Sequence, residues 1–310
     1  MLLDPTFELV DKQSRNEELC CYHFENADIR CDHVQEKQET VVLKTAIRAI
    51  LPEQVYDTLR RAKQNFMTRR FSSYVSEHNY GGYRLKVLIA DPIGAEWYDH
   101  DESAMPEIDE LKRFDLTGKT VFDLGAHQCV IAMLLAQLTG KAGRVIAVEA
   151  NAHNHKVSLQ NLATNQFDNV TCVHGLVSSG KLDIAIDGGL NGRARRADST
   201  TPKLKVLTID DMTQLYGAPG LVLLDIEGHE IEALSAATET LKDPHCHWLV
   251  ELHGDADLAD YGHKNSDIFK FFPTTLFKPV ILDTKAGHFL PLAPQDLPHE
   301  RCHIVFERIA

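Results

Sequence analysis

Apolar and polar positions follow two regimes along the chain, and the change falls near residue 115. The first forty residues are polar and irregular. A helix is predicted from Pro52, where Val55, Leu59, Ala62 and Phe66 recur at helical spacing and proline suits a first helical position. Arg84 to Ala90 reads as a strand with Leu85, Val87 and Ile89 on one face. From Gly118 short apolar runs alternate with helical stretches. Lys119 to Leu124 is a strand, Val130 to Leu138 a helix ended by Gly140, and Arg144 to Val148 a second strand. A helix over Asn154 to Leu162 and a strand over Asn169 to Val173 follow. The stretch from Ser178 to Pro202, with Gly188, Gly189 and Gly192, is predicted as a loop or small hairpin able to serve as a lid. Alternation then resumes. Leu221 to Leu224 is a buried strand, and a helix starts near Gly228 with Ile231, Leu234 and Leu241 as its apolar stripe. His247 to Leu252 is a strand, Asp267 to Phe272 a short helix, and Leu276 to Leu282 and His303 to Phe306 are closing strands joined by a turn-rich link.

Repeated strand–helix units specify an α/β fold with a doubly wound, mainly parallel sheet covered by helices. The closing strand pair suits an antiparallel edge. Residues 1–115 are expected to form an accessory region and residues 116–310 the main domain.

In open α/β sheets ligands bind beyond the carboxyl ends of the strands, so the residues there carry the chemistry. After the first strand stands Asp123-Leu124-Gly125-Ala126-His127-Gln128-Cys129. Gly125 permits a tight turn and close backbone approach, and the following helix offers free N–H groups. After the second strand stands Glu149, a carboxylate able to accept both hydroxyls of a ribose. After the fourth comes Asp225-Ile226-Glu227-Gly228-His229-Glu230, more polar groups than helix capping requires. After the fifth come Glu251 and His253, which strand alternation points to the same side. The catalytic candidates are therefore His253, Asp225, Glu251 and His229, with His253 as a base because neutral imidazole accepts a proton near neutral pH.

Composition narrows the partners. The 310 residues are 44% hydrophobic and 25% charged, which is ordinary for a globular protein. The net charge of -13 argues against nucleic acid as partner. The start shows no signal-peptide pattern and no apolar run is long enough to span a bilayer, so no membrane association and a cytoplasmic location are expected. Seven cysteines fit reduced thiols rather than a disulfide framework. Cys20, Cys21, His23, Cys31 and His33 cluster, but Cys-x-His pairs are tighter than those of structural zinc sites, and no metal is assigned. Self-association stays open.

With these residues in view, Gly118 to His253 resembles the FkbM family of methyltransferases. The resemblance rests on VFDLGAH (Val121 to His127), VIAVEAN (Val145 to Asn151), VLTIDDM (Val206 to Met212) and LLDIEGHEIEAL (Leu223 to Leu234), followed by the strand Trp248 to His253. It implies a class I (Rossmann-like) fold and S-adenosyl-L-methionine as cofactor. Asp123, Gly125 and Ala126 would then line its methionine end, Glu149 the ribose, His174, Gly175 and Leu176 the adenine, and Asp225 the sulfonium, with His127 and Ala150 also binding the cofactor. The implied activity is methylation of a hydroxyl on a small molecule or glycan unit. Where the family usually has a second glycine this chain has Cys129. Its thiol either crowds the cofactor or turns inward.

Other readings meet specific obstacles. A nicotinamide-dependent oxidoreductase wants G-x-G-x-x-G, and the first turn offers Gly125 alone. A non-catalytic S-adenosylmethionine binder would be consistent with Cys129. Asp225, Glu227 and Glu251 offer hard oxygen ligands for Mg²⁺, but sequence spacing alone establishes no coordination shell.

Overall fold

The computed structural model describes residues 53–180, 184–186, 194–196 and 204–309. The cluster Cys20, Cys21, His23, Cys31 and His33, and the glycines 188, 189 and 192, lie outside the described residues. The chain divides into two units at Tyr56–Asp57, and apart from the first residues of helix α1 everything considered below lies in Asp57–Ala310.

Helix α1 (Glu53–Arg70) is followed by a hairpin of β1 (Tyr74–Tyr80) and β2 (Tyr83–Ile89). Its two-residue turn is Gly81-Gly82, both at positive φ, the backbone that tight hairpins require. Strand β1 was not expected from the pattern, because most of its side chains are partly exposed and polar. Two short helices follow, α2 (Pro92–Tyr98) and α3 (Pro106–Leu111).

The main sheet then builds through β3 (Thr120–Leu124), α4 (Val130–Thr139), β4 (Arg144–Glu149), α5 (Ala152–Asn165) and β5 (Val170–His174). Two small strand pairs branch from it: β6 (Leu176–Val177) with β9 (Val206–Leu207), and the hairpin β7 (Ile184–Ile186) with β8 (Ala194–Arg196). The chain continues through α6 (Ile209–Tyr216), β10 (Pro219–Leu224), α7 (Glu230–Leu234), β11 (His247–Leu252), α8 (Asp255–Leu258), β12 (Phe277–Asp283), β13 (His288–Pro291) and β14 (Cys302–Arg308).

The eight-stranded sheet has the order β13-β12-β14-β11-β10-β3-β4-β5. Strands β5, β4, β3, β10 and β11 are parallel, and β14 pairs antiparallel with both β11 and β12. This is the order of class I methyltransferases. The C-terminal strand β14 is thus an antiparallel strand inserted inside the sheet, β12 runs with the parallel set, and the antiparallel edge is β13. Strand β13, in the stretch read as a turn-rich link, forms the true edge. Its side chains are largely exposed, and Pro291 cuts its apolar run to Phe289-Leu290, too short to read as a strand.

Alternate residues of the central strands feed two cores. Phe122, Ile146, Val222 and Trp248 face one layer, with Ile209, Met212 and Leu234. Val121, Val145, Leu221 and Leu249 face the other, with Met133, Leu134 and Leu135 of α4. The helix expected to run from Gly228 through Leu241 is short. Asp210 accepts hydrogen bonds from the Glu239 and Thr240 amides, both at 2.9 Å, and so draws that backbone out of the helix. Leu241 instead lies in a 3₁₀ turn, Thr240–Lys242, and another 3₁₀ segment, Asn265–Lys270, replaces the predicted helix there. Among the described residues no helix is long and apolar enough to cross a membrane.

Candidate functional site

The chain order reverses between β3 and β10, and a cavity of about 290 Å³ opens beyond the carboxyl ends of these strands. Its tightest element is the turn after β3. Gly125 has φ +95°, and a Cβ there would lie 1.7 Å from the Asp225 carbonyl oxygen. The Gly125 and Ala126 amides donate to the Val148 carbonyl at 2.9 and 3.0 Å, tying the turn to β4. Glycine is thus demanded twice, by backbone conformation and by the neighbouring strand end.

Two acids line this end of the cavity. Asp123 is buried, and its Oδ2 has no hydrogen-bond partner. Burial pushes its pKa up to about 7. Glu149 accepts the Asn151 amide at 2.6 Å, yet burial still pushes it up to about 8. An orphaned carboxylate oxygen in a cavity wall fits a ligand that brings donors or positive charge. Ala150, Gly175, Leu176 and Val177 complete this wall. His174, by contrast, is exposed, stacks on His155 and hydrogen-bonds the Ala150 carbonyl, and does not line the cavity.

His127 lies on the turn at φ +46°, with its Nδ1 2.8 Å from the Tyr98 hydroxyl. Burial lowers its pKa to about 4, so the ring is neutral. Trp97, 4.9 Å from the His127 ring, and Tyr98 also line the cavity. Neither aromatic residue was expected. They come from α2, and the buried Asp91 sets that helix in place. Asp91 Oδ1 caps α2 by accepting the Ile93 and Gly94 amides, while its Oδ2 accepts from Gln128 Nε2 at 2.8 Å and His153 Nε2 at 2.9 Å. Nothing local in the sequence shows that a residue before residue 115 ties itself to the turn after β3.

Cys129 takes φ +62°, the left-handed backbone that glycine adopts without strain. Its side chain is fully buried in the core, away from the cavity wall. The thiol turns inward.

The other end of the cavity is a dense ionic cluster. Asp225, Glu227 and Glu251 line it together with Arg301. Arg301 Nε donates to Glu251 Oε1, and His303 Nε2 lies 3.1 Å from Glu251 Oε2. Burial opposes ionisation of Glu251, but these two partners hold its carboxyl well below the usual carboxylate range. Asp225 moves the opposite way. Burial, and then the charge of Glu251, push it well above its ordinary value. Glu227 is raised chiefly by burial and has φ +56°, unusual for a non-glycine residue.

His253 stands behind these carboxylates and does not line the cavity. Its Nδ1 donates to the buried Glu230 at 2.9 Å, and Glu230 also accepts the Gly228 amide at 2.9 Å. Its Nε2 is buried without a hydrogen-bond partner, 3.5 Å from Asp225 and 3.4 Å from Glu227. Burial lowers the His253 pKa, but Glu230 outweighs it and the net shift is upward. His229 turns away from the cluster: its Nε2 pairs with Ser178 Oγ at 2.9 Å and its ring packs on Tyr261.

Arg301, His303 and Glu230 were not anticipated as partners of the candidate residues. Glu251 and His303 face each other in the antiparallel register of β11 and β14, a pairing no local spacing reveals.

Residues 123–275 match the Methyltransferase FkbM domain. No curated protein matches the chain. Among solved structures the chain is similar to methyltransferase FkbM from Methylobacillus flagellatus KT, at 19% identity over 63% of this chain and 44% of that one, with a TM-score of 0.41. It is also similar to a SAM-dependent methyltransferase from Aquifex aeolicus, at 12% identity over 71% and 94% of the two chains, with a TM-score of 0.41. A third similar structure is Aeropyrum pernix fibrillarin with natively bound S-adenosyl-L-methionine, at 12% identity over 78% and 86%, with a TM-score of 0.41. The sheet order, the glycine turn and the domain match agree: residues 123–275 match an FkbM methyltransferase domain, a domain whose cofactor is S-adenosyl-L-methionine.

Proposed function

We propose that the protein transfers a methyl group to a hydroxyl oxygen of a small molecule or glycan unit. S-adenosyl-L-methionine supplies the methyl on a sulfonium. Asp123, Gly125, Ala126 and His127 hold its methionine end, Glu149 and Ala150 the ribose, and Gly175 and Leu176 the adenine, with Asp225 next to the reacting centre. Transfer from a sulfonium is an in-line displacement, so alignment is the largest task. Trp97 and Tyr98 of the accessory region wall the acceptor mouth and contribute to that alignment.

The observation that carries the reading is the cluster of Asp225, Glu227, Glu251 and His253 at the mouth. A neutral hydroxyl is a weak nucleophile and gains from a group that removes its proton, whereas a neutral amine attacks without one. Asp225 and Glu227 face the cavity, and the His253 ring behind them, braced by Glu230, receives the proton through them. The acidic chain favours a small acceptor over a nucleic acid.

The test is incubation with methyl-labelled S-adenosyl-L-methionine and a panel of sugars and hydroxylated small molecules, with amines and structured RNA alongside. Label on oxygen and stoichiometric S-adenosylhomocysteine support the reading. Label confined to nitrogen or to RNA overturns it.

A further inference from the structure

We infer that the mouth holds a divalent transition-metal ion, ligated by Asp225, Glu251 and Nε2 of His253, with Glu227 in reach as a fourth ligand. The inference deepens the proposed hydroxyl methylation and rests on it for the chemical use of the ion.

A side-chain donor atom of each of Asp225, Glu251 and His253 lies within 4.8 Å of the other two. Ligands bonded to one ion at roughly 2.1 Å lie about 3–3.5 Å apart, so these side chains would close on it by about an ångström through rotamer shifts. Acidic residues alone would not make a site. The independent observation is His253. Its side chain is 2% exposed, and its Nε2 has no hydrogen-bond partner although it faces Asp225 and Glu227 at 3.5 and 3.4 Å. A buried donor or acceptor left unmatched costs about 1–3 kcal/mol, so such an atom calls for a partner.

The far side of the same ring strengthens the assignment. Metal-bound histidines characteristically give their other N–H to a carboxylate, which fixes the tautomer and turns the lone pair toward the metal. His253 Nδ1 donates to Glu230 at 2.9 Å, and Glu230 is fully buried. Glu230 is fixed in turn by the Gly228 and Ile226 amides at 2.9 and 3.3 Å. The imidazole is therefore held with Nε2 toward the carboxylates before any ion arrives.

Charge agrees. Among the described residues, Asp225, Glu227, Glu230 and Glu251 meet Arg301 as the one permanent cation of the cluster, which engages Glu251 through Oε1. One imidazole among carboxylates selects a metal of intermediate hardness, such as Mn²⁺, Fe²⁺ or Zn²⁺, over Ca²⁺. Asp225 and Glu251 stand on the cavity wall, so open coordination positions would face the acceptor. There the ion acidifies the acceptor hydroxyl. The proton leaves to solvent, an oxygen lone pair forms the bond to the methyl carbon, and the carbon–sulfur pair stays on sulfur. The ion then does by Lewis acidity what the carboxylates would otherwise do by taking the proton.

The test is titration of chelator-treated, dialysed full-length protein with Mn²⁺, followed by electron paramagnetic resonance and calorimetry, with Zn²⁺ in parallel. One ion per chain is expected. Asp225→Asn should weaken binding at least tenfold, and so should His253→Gln; Glu230→Gln should weaken it about tenfold through the ring it orients. Asp225 is at the mouth, so its variant remains informative if a change at buried His253 prevents folding. Neither ion binding, or binding unchanged in Asp225→Asn, overturns the site. Methyl transfer to a hydroxyl that persists in chelator without ion binding removes the ion and leaves the proposed transfer standing. Ion binding without transfer to any hydroxyl does the reverse.

Discussion

The two ends of the cavity handle buried charge in opposite ways. At the end proposed for the cofactor, Asp123 has a carboxylate oxygen without a hydrogen-bond partner while Glu149 accepts the Asn151 amide, and burial raises both pKa values, to about 7 and about 8. At the acceptor end, Glu251 is paired with Arg301 and His303 and stays ionised, while Asp225 beside it is driven upward. At one end Asp123 keeps an unmatched carboxylate oxygen that a ligand would complete. The other is a prebuilt network whose members set one another's protonation. Loss of a cofactor-end residue should therefore act on binding, and loss of an acceptor-end residue on turnover.

The harshest way to break that division is Gly125→Ala. The new Cβ would meet the Asp225 carbonyl, and the residue would be held at φ +95°. A loss of roughly 3 kcal/mol or more in stability is expected, with cofactor binding and turnover lost together. Calorimetric melting and titration with S-adenosyl-L-methionine check it; a wild-type melting profile would mean that the turn can open without consequence.

A paired substitution sharpens the contrast. Glu149→Ala removes charge-assisted hydrogen bonds worth about 1.5–3 kcal/mol each, so affinity for S-adenosyl-L-methionine should fall roughly 10- to 100-fold. Glu251→Gln should leave that affinity within about twofold while lowering kcat at least tenfold, because Arg301 and His303 lose their common partner. Equal effects of both variants on binding would erase the distinction between the two ends.

The pH dependence is gentler. The folded-state pKa values of Asp123 and Glu149 lie above the ordinary 3.8 and 4.5. The folded chain thus keeps protons that the unfolded chain releases. The associated stability is full below the ordinary values and is lost progressively as pH rises through 7 to 8. Ligand-free protein should accordingly melt at lower temperature at pH 9 than at pH 6. Affinity for the cationic cofactor should rise over the same range, by up to about tenfold per pH unit for each ionising group. Affinity that is flat between pH 6 and 9 would exclude both acids from cofactor contact.

Cys129→Gly is expected to do least. Relief of left-handed strain, worth about 1 kcal/mol, is offset by the loss of a buried thiol, so stability should stay within about 1 kcal/mol of wild type. Because the thiol points into the core, cofactor affinity should scarcely move in calorimetry. A large gain in affinity would instead place the sulfur against the cofactor.

The parallel strands β3, β4, β10 and β11 were legible because burial on both faces writes them as short apolar runs, each stopping at a polar or glycine residue. The same runs pointed to Asp123, Gly125, Glu149, Asp225 and Glu251 as a group, and all five line the cavity. Strands β1 and β13 were not legible, because β1 is largely polar and Pro291 breaks the short apolar stretch of β13. His229 was grouped with the mouth by adjacency in sequence, but one residue further along the turn its ring faces Ser178 instead.

By itself, then, the sequence determined the α/β class, the residues at the parallel strand ends and the family to which they point, because alternation and strand termination are local properties of the chain. The tertiary structure alone decided which side chains meet. It brought Trp97 and Tyr98 to the cavity through Asp91, set His303 opposite Glu251, and turned His253 toward the carboxylates through Glu230. Such contacts join segments tens of residues apart, and their energies depend on burial and distance, quantities that exist only after the sheet has formed.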